Sequence, residues 1–403
     1  MLDTIFSANS GLQSFSKGLN VISDNVTNVN TIGYKATNLQ YRDIHYNYSL
    51  RDEAHNLYYG AQIGGGVAAD VTSIVFNQGD LRSTTNPTDL AISGYGFFVI
   101  DRGGEYVYSR NGQFEFNDNG DLVTREGGFK VLGLGSNGKL QPINKNGFEA
   151  QQPSPTTKVD LLGNLSPGSS SATINDLNVI DPLGGSHLFK VTLTRDTTGT
   201  GRNWTVAVVD ENNLSVGISG TISFQENGSP APGANTYSFV YQASGMSAQY
   251  ITLNFGDPNS FSNVTGFSLG TVSNVTVNAQ DGHAAGTLQS LTFDAKGRLT
   301  ANFSNQQVQY GPQLALARFD NLQALIQLGD GLFKPQKEQT ALIGPAGSGA
   351  FGSIAAGQLE SSNVDLTQQF SDMIIIQRGY QASSQVLTAA NEMLQQLLEM
   401  GKR

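Results

Sequence analysis

The chain contains no cysteine. Disulfides, thiolate metal centres and cysteine nucleophiles are therefore excluded, and thiol chemistry points to neither a reducing nor an oxidising compartment. Charge is scarce as well: 14% of residues are ionisable Asp, Glu, Lys or Arg, and the formal net charge is -10. No basic cluster of the kind a phosphate backbone requires is present, so nucleic acid is not an expected partner. Long apolar runs are missing, and nothing approaches the roughly 18 residues of a spanning helix, so membrane insertion is not expected. The opening stretch MLDTIFSANSGLQSFSKGLN lacks the basic start, apolar run and small-residue cleavage site of a secretory signal. Any export of such a chain calls for another route. The four histidines, His45, His55, His187 and His283, are scattered without the spacing of a metal pair. Neither a nucleophile elbow nor HExxH occurs, so no catalytic residue, metal or cofactor is expected.

Glycine is abundant instead, with 47 in 403 residues, and Ser, Thr and Asn are frequent. That composition points to short strands and many turns, in a chain long enough for two to four domains. The two ends differ from this. Ile5, Ala8, Leu12, Phe15, Leu19, Ile22, Val26 and Val29 alternate steps of three and four, which is a heptad seam. Leu366, Met373, Tyr380, Leu387 and Leu394 repeat every seven residues at the other end. The alternate positions of that second seam are Phe370, Gln377, Ser384, Asn391 and Leu398, so three polar groups are expected where a partner helix packs. A lone amphipathic stripe ordinarily marks a surface helix on a core. Two of them, at the ends of a chain that is otherwise strand and turn, point to helices that pair with each other or with neighbouring copies.

The middle carries its own boundaries. The polar stretches QQPSPTT (151–157) and NAQDGHAAGTL (278–288) have linker character and enclose strands such as WTVAVV (204–209) and YSFVYQ (237–242). Before them, GFFVI (96–100), YVYSRNGQFEFNDNGDLV (106–123) and FKVLGLG (129–135) read as hairpin strands, and LTFDAKGRLTANF (291–303) and LALARF (314–319) resume the same pattern afterwards. The expected fold is mainly β with terminal α-helices pairing as a coiled coil. Its expected parts are a helix and connecting segment over 1–70, a discontinuous middle β domain over 71–150 and 288–360, an inserted outer β domain over 151–287, and a C-terminal helix over 361–403.

Two motifs imitate binding sites. GLGSNG (133–138) fits GxGxxG, but no helix follows to face a pyrophosphate, so it reads as a turn. EFNDNGDLVTRE (115–126) has calcium-loop spacing, yet alternating strands flank it and Asn119-Gly120 reads as a hairpin turn.

SDNVTNVNTIGYK (23–35) ends the first stripe in asparagine. Val26 and Val29 are expected to stay in the seam while Asn25, Asn28 and Asn30 take the other faces, and Gly33 permits the turn out to Tyr34 and Lys35. This segment resembles the Asn-rich signature of the flagellar rod and hook axial proteins. SGYGFFVI (93–100), YSRNGQFEFNDNGDLV (108–123), ALARFDN (315–321) and LESSNVDLTQQFSDMIIIQRGYQASSQVLTAANEML (359–394) resemble family segments in the same order. The inserted NVIDPLGGSHLFKVTLTR (178–195) followed by Trp204 is similar to the outer domain of the hook branch, whereas the charged aromatic stretch from 49 to 60 does not align. The resemblance implies a non-enzymatic subunit, exported through the type III apparatus without a cleaved signal. It implies self-polymerisation into a curved tube that works as a universal joint, with the distal rod protein, hook cap and hook–filament junction proteins as neighbours. The alternatives are a distal-rod-type subunit, or a secreted β-rich glycan-binding protein or hydrolase.

Overall fold

The computed structural model describes residues 2–44, 46–48, 62–135, 137–198, 201–242, 245–336 and 339–400. The charged aromatic stretch from 49 to 60, with His45 and His55, lies outside the described residues. The chain forms two compact units, one built from 1–146, 291–300 and 310–403, the other from 147–290 and 301–309.

Two long helices bracket the first unit: α1 (Leu2–Thr27) and α2 (Leu366–Met400). Asp365 starts α2 as its N-cap, its carboxylate accepting from the backbone N–H groups of Thr367 and Gln368. Beside α1 lies an antiparallel ribbon of Thr37–Asp43 and Val67–Ile74, with a one-residue irregularity between Gln40 and Tyr41. Ser14 and Lys17 of α1 donate to the backbone of Val67 and Ala69, and the Val67 N–H donates to Ser10. The ribbon is thus laid along the helix by polar contacts to its backbone.

The β part of this unit is a set of hairpins. Phe97–Asp101 pairs with Tyr106–Ser109, Phe114–Phe116 with Leu122–Thr124, and Leu325–Gly329 with Leu332–Pro335. Asn119-Gly120 turns the second of these, with Gly120 at a φ of 81° and Asn117 accepting from the N–H groups of Asn119 and Asp121. The strand Lys130–Leu134 that contains Gly133 and Leu134 of GLGSNG pairs antiparallel with Leu140–Pro142, so no helix follows the stretch. Edge-to-face aromatic contacts fill the core, with Tyr108 and Phe319 ring centroids 4.8 Å apart and Phe97 packed on both Phe319 and Phe333. Two short pairings join distant parts of the chain: Leu81–Ser83 with Gln358–Glu360, and Leu90–Ser93 with Ser353–Ala356.

The second unit has two sheets sharing one core. Ser171–Ile180, Ser186–Arg195, Asn203–Val209 and Gly220–Ser223 form an antiparallel meander. Lys158–Asn164 runs parallel to Gln249–Asn254 and antiparallel to Asn274–Gln280 in the other. Alternation buries one face of each strand, and Trp204, Phe189, Phe239 and Phe255 meet inside. Asp181-Pro182-Leu183-Gly184 is the turn between the first two strands of the meander. The Asp181 carboxylate accepts from the Leu183 and Gly185 N–H groups and meets His187 at 3.0 Å. The expected linkers 151–157 and 278–288 are not loose tethers. Ser154 and His283 exchange backbone hydrogen bonds, and Asp281 accepts from the N–H groups of Thr157 and Lys158. Their polar composition satisfies a paired backbone, a partnership that composition does not reveal.

Four carboxylates of this unit are held below their usual range, Asp196 by hydrogen bonds from the Thr198 hydroxyl and N–H. Asn254 does so for Asp160, aided by Lys158. Burial raises Asp181 and Asp281, but donors from His187 and backbone N–H groups, and from Thr157 and backbone N–H groups, outweigh it. A depressed carboxyl contributes stability that is complete above the unfolded value of 3.8 and is lost as pH falls through the folded one. The urea midpoint followed by fluorescence of Trp204, the single tryptophan, should hold constant between about pH 5 and 7 and fall steeply below about pH 4. In Asp181→Asn the midpoint should be lower at neutral pH and its acid limb shallower. An acid limb as steep as in the unsubstituted chain would contradict the assignment.

Candidate functional site

The two helices run antiparallel in a single register. Asn25 meets Gln369, Gly18 faces Ile376, Phe15 lies over Gly379, and Gly11 faces Ser383. Each step along one helix is matched by an equal step back along the other. A Cβ added at Gly11 would stand 2.9 Å from the Ser383 hydroxyl, at Gly18 2.8 Å from the Ile376 methyl, and at Gly379 2.7 Å from the Phe15 ring. Glycine inside a helix costs roughly 1 kcal/mol relative to alanine. Here each glycine receives a side chain from the facing helix, so close approach offsets that cost.

This seam differs from the expected one. Ile22 is buried and Ile5, Leu12, Phe15, Leu19 and Val26 are half-buried, flanking a line of small buried residues, Ala8, Gly11, Ser14 and Gly18. On α2 the row facing α1 is Gln369, Ile376, Ser383 and Ala390, one residue before each of the expected Phe370, Gln377, Ser384 and Asn391. Met373, Leu387 and Leu394 are half-buried beside it. Leu366, Phe370, Tyr380 and Leu398 face outward, Phe370 at 50% and Leu398 at 68% exposure. A broad apolar stripe does not specify which edge packs within the subunit; the glycines that admit close approach decide it.

The exit of α1 also departs from expectation. The helix ends at Thr27, so Val29 sits in the following turn rather than in the seam. Asn28 caps locally on Asp24, and Asn30 is exposed. Asn25, expected on a face away from the seam, is 1% exposed. Its amide donates to the Thr37 carbonyl at 2.8 Å and to Gln369 at 2.9 Å, and its carbonyl accepts from the Thr37 N–H and the Tyr34 hydroxyl. One side chain therefore ties α1, α2 and the ribbon. Burial, and next the Asp24 charge, push the Tyr34 phenol above its ordinary range, so it stays a donor.

Below Asn25 the signature reaches a buried charge cluster. Lys35 is fully buried and its ammonium meets Glu360, also fully buried, and the Asn77 carbonyl. The second Glu360 oxygen takes Arg110 at 3.1 Å, and the Gly79 N–H donates to the first. Burial lowers the pKa of both Lys35 and Arg110, with Glu360 acting against it. Gly33, at a φ of 70°, donates its N–H to the Glu360 carbonyl, and a Cβ there would strike the Asn111 backbone. Asn363 accepts from the Ala36 N–H and donates to the carbonyls of Val75 and Asn77. Neither Glu360 nor Asn363 was singled out by sequence reasoning. The signal available was that both lie in LESSNVD, a polar stretch just before the second stripe.

No His, Cys, Asp and Glu grouping among the described residues is arranged to hold a metal ion. What the unit presents is an assembly device. Residues 33 and 35 near one end are tied to Glu360 near the other; on the side of α2 away from α1 the apolar Phe370 and Ile374 stand uncovered, and Leu397 and Leu398 are exposed where α2 runs past the start of α1. Such an exposed apolar face on a paired terminal helix marks a class, structural subunits whose terminal helices carry an interaction surface.

Residues 5–35 match the family model of flagella basal body rod proteins, 91–159 that of the flagellar hook protein FlgE/F/G D1 domain, and 355–400 that of the flagellar basal body rod FlgEFG protein C-terminal region. The chain is 30% identical to the flagellar hook protein FlgE of Salmonella typhimurium over 420 residues, covering 97% of this chain and 98% of that protein. It is likewise 30% identical to FlgE of Treponema pallidum over 465 residues, 99% of this chain and all of that protein, and 29% identical to FlgE of Escherichia coli over 417. The fold is shared with the crystal structure of Helicobacter pylori flagellar hook protein FlgE2, with a TM-score of 0.54 at 14% identity over 70% of this chain and all of that one. The chain belongs to the flagellar hook protein FlgE family. It is a structural subunit of the flagellar hook and not an enzyme.

Replacing Asn25 with Ala leaves Gln369 and the Thr37 backbone groups without their partner, a loss of about 2 kcal/mol or more. Asn25→Ala should lower the urea midpoint of the first unit, followed by near-ultraviolet circular dichroism, while Trp204 fluorescence reports the second unit unchanged. An unchanged first unit would show Asn25 to be incidental.

Proposed function

We propose that the chain is the repeating unit of a curved, flexible tube that carries motor torque to the filament as a universal joint. The observation that carries this is the outward stripe of α2. A helix already paired along one face keeps large apolar side chains on the other, where Phe370 and Ile374 are half or more exposed. Such a face in a polymer-forming family is supplied with partners by neighbouring copies. Heterologous contacts whose rotation does not close generate a helical tube.

In this reading the helix pair, from 1–70 and 361–403, lines the inner wall. The β part of the first unit (71–146, 291–300 and 310–360) forms the middle layer, and the second unit (147–290 and 301–309) forms the outer part, with a Ser- and Thr-rich surface suited to contacts that slide. The seam residues Ile5, Leu12, Phe15, Leu19, Ile22 and Val26, with Met373, Leu387 and Leu394, hold the pair. Leu366, Phe370, Tyr380 and Leu398 contact neighbours. The distal rod protein, hook cap and hook–filament junction proteins adjoin the tube, and the type III apparatus exports the chain without a cleaved signal. An exposed apolar face contributes little stability until it is covered, so the outward face of α2 gains its stabilisation on assembly.

Electron microscopy of the assembled protein should show curved tubes; a straight, rigid tube would mark a rod-type subunit instead. Phe370→Asp and Ile374→Asp, each placing a charge on the outward stripe, should abolish tubes in sedimentation and microscopy while Trp204 fluorescence stays native. Normal tubes from both variants would remove the stripe from the assembly surface.

A further inference from the structure

We infer that Glu360 is the keystone of a latch that makes docking of the N-terminal signature conditional on docking of the C-terminal segment, so that the two chain ends order as one element. The inference rests on contacts within one subunit and is independent of how copies assemble. Three stretches far apart in sequence converge on this carboxyl: Lys35 from the signature, the Gly79 N–H, and Arg110. Lys35 and Glu360 are fully buried, and Arg110 is 5% exposed.

Two cations share one anion here, and among the described residues nothing accepts from the buried Nε of Arg110. The Arg110 guanidinium lies 5.3 Å from the centre of the Phe97 ring, and its Nη2 donates to the Gly94 carbonyl. Without Glu360 these would be two like charges removed from solvent together, which is strongly disfavoured. Lys35 therefore cannot enter before the segment 359–363 is in place. Conversely, the Glu360 carboxylate is buried too deeply for solvent to replace its donors, so that segment cannot close without Lys35. Backbone bonds complete the interdependence, since Gly33 donates to the Glu360 carbonyl and Ala36 to the Asn363 side chain. Asn25 and Gln369, bonded to each other, stand on the helices that leave this point, so the latch sets where the helix pair begins.

The test is residue-resolved hydrogen exchange on the full-length soluble chain. The Gly33, Ala36 and Gly79 amides should be protected in the unsubstituted protein. In Glu360→Gln all three should exchange at least about tenfold faster, as a buried donor left without its charged partner implies. Val191 and Val206, inside the second unit, should be unaffected. Reciprocity requires that Lys35→Met, made at the opposite end, speed exchange across 359–363 by a comparable factor. Lys35→Met serves as the independent arm should Glu360→Gln fail to fold. Loss of protection confined to the substituted segment in either variant would overturn the latch, as would unprotected Gly33 and Gly79 amides in the unsubstituted chain.

Discussion

The burial of one carboxylate organises the first unit. Glu360 takes both its oxygens and its carbonyl into direct contact with residues 33, 35, 79 and 110. A charge removed from solvent this completely persists only when its donors are fixed, and fixing them brings the beginning and end of the chain to one place. The strand pairs Leu81–Ser83 with Gln358–Glu360 and Leu90–Ser93 with Ser353–Ala356 extend the same closure. The antiparallel helix pair follows from it: α1 ends just before the cluster and α2 starts just after it, so they leave side by side.

The helix pair is made with unusually little apolar surface. Its seam is lined by Ala8, Gly11, Ser14 and Gly18 on one side and by Gly379, Ser383 and Ala390 on the other, with Phe15 as the main knob. Small residues let the backbones approach and leave the large apolar side chains for the outer face. One helix thus carries both a pairing face and an exposed apolar face. Asn25 and Gln369 add register to a seam that small residues alone specify weakly.

Much of this was legible. The heptad spacing of Ile5 to Val26, the period of seven from Leu366 to Leu394 and the alternation of WTVAVV and YSFVYQ correspond to the observed helices and strands. The signature SDNVTNVNTIGYK identified the family. Which edge of the second stripe turns toward α1 was not legible, because the apolar residues of α2 spread over a wide arc of the helix, from Phe370 and Ile374 to Met373 and Ile376. Nor was the inward placement of Asn25, since an asparagine reads as surface or turn until a buried Gln369 and a ribbon backbone are placed beside it.

The sequence by itself determined the local periods, the turns at glycine and asparagine, and family membership, because these depend on residues near one another in the chain. Only the tertiary structure decided that Lys35, Arg110 and Glu360 share one buried site. Residues separated by 325 and 250 positions have no common period. Their partnership exists only after the sheet pairings have brought the chain ends together, and a lone Glu in a polar stretch carries no mark of the burial that awaits it.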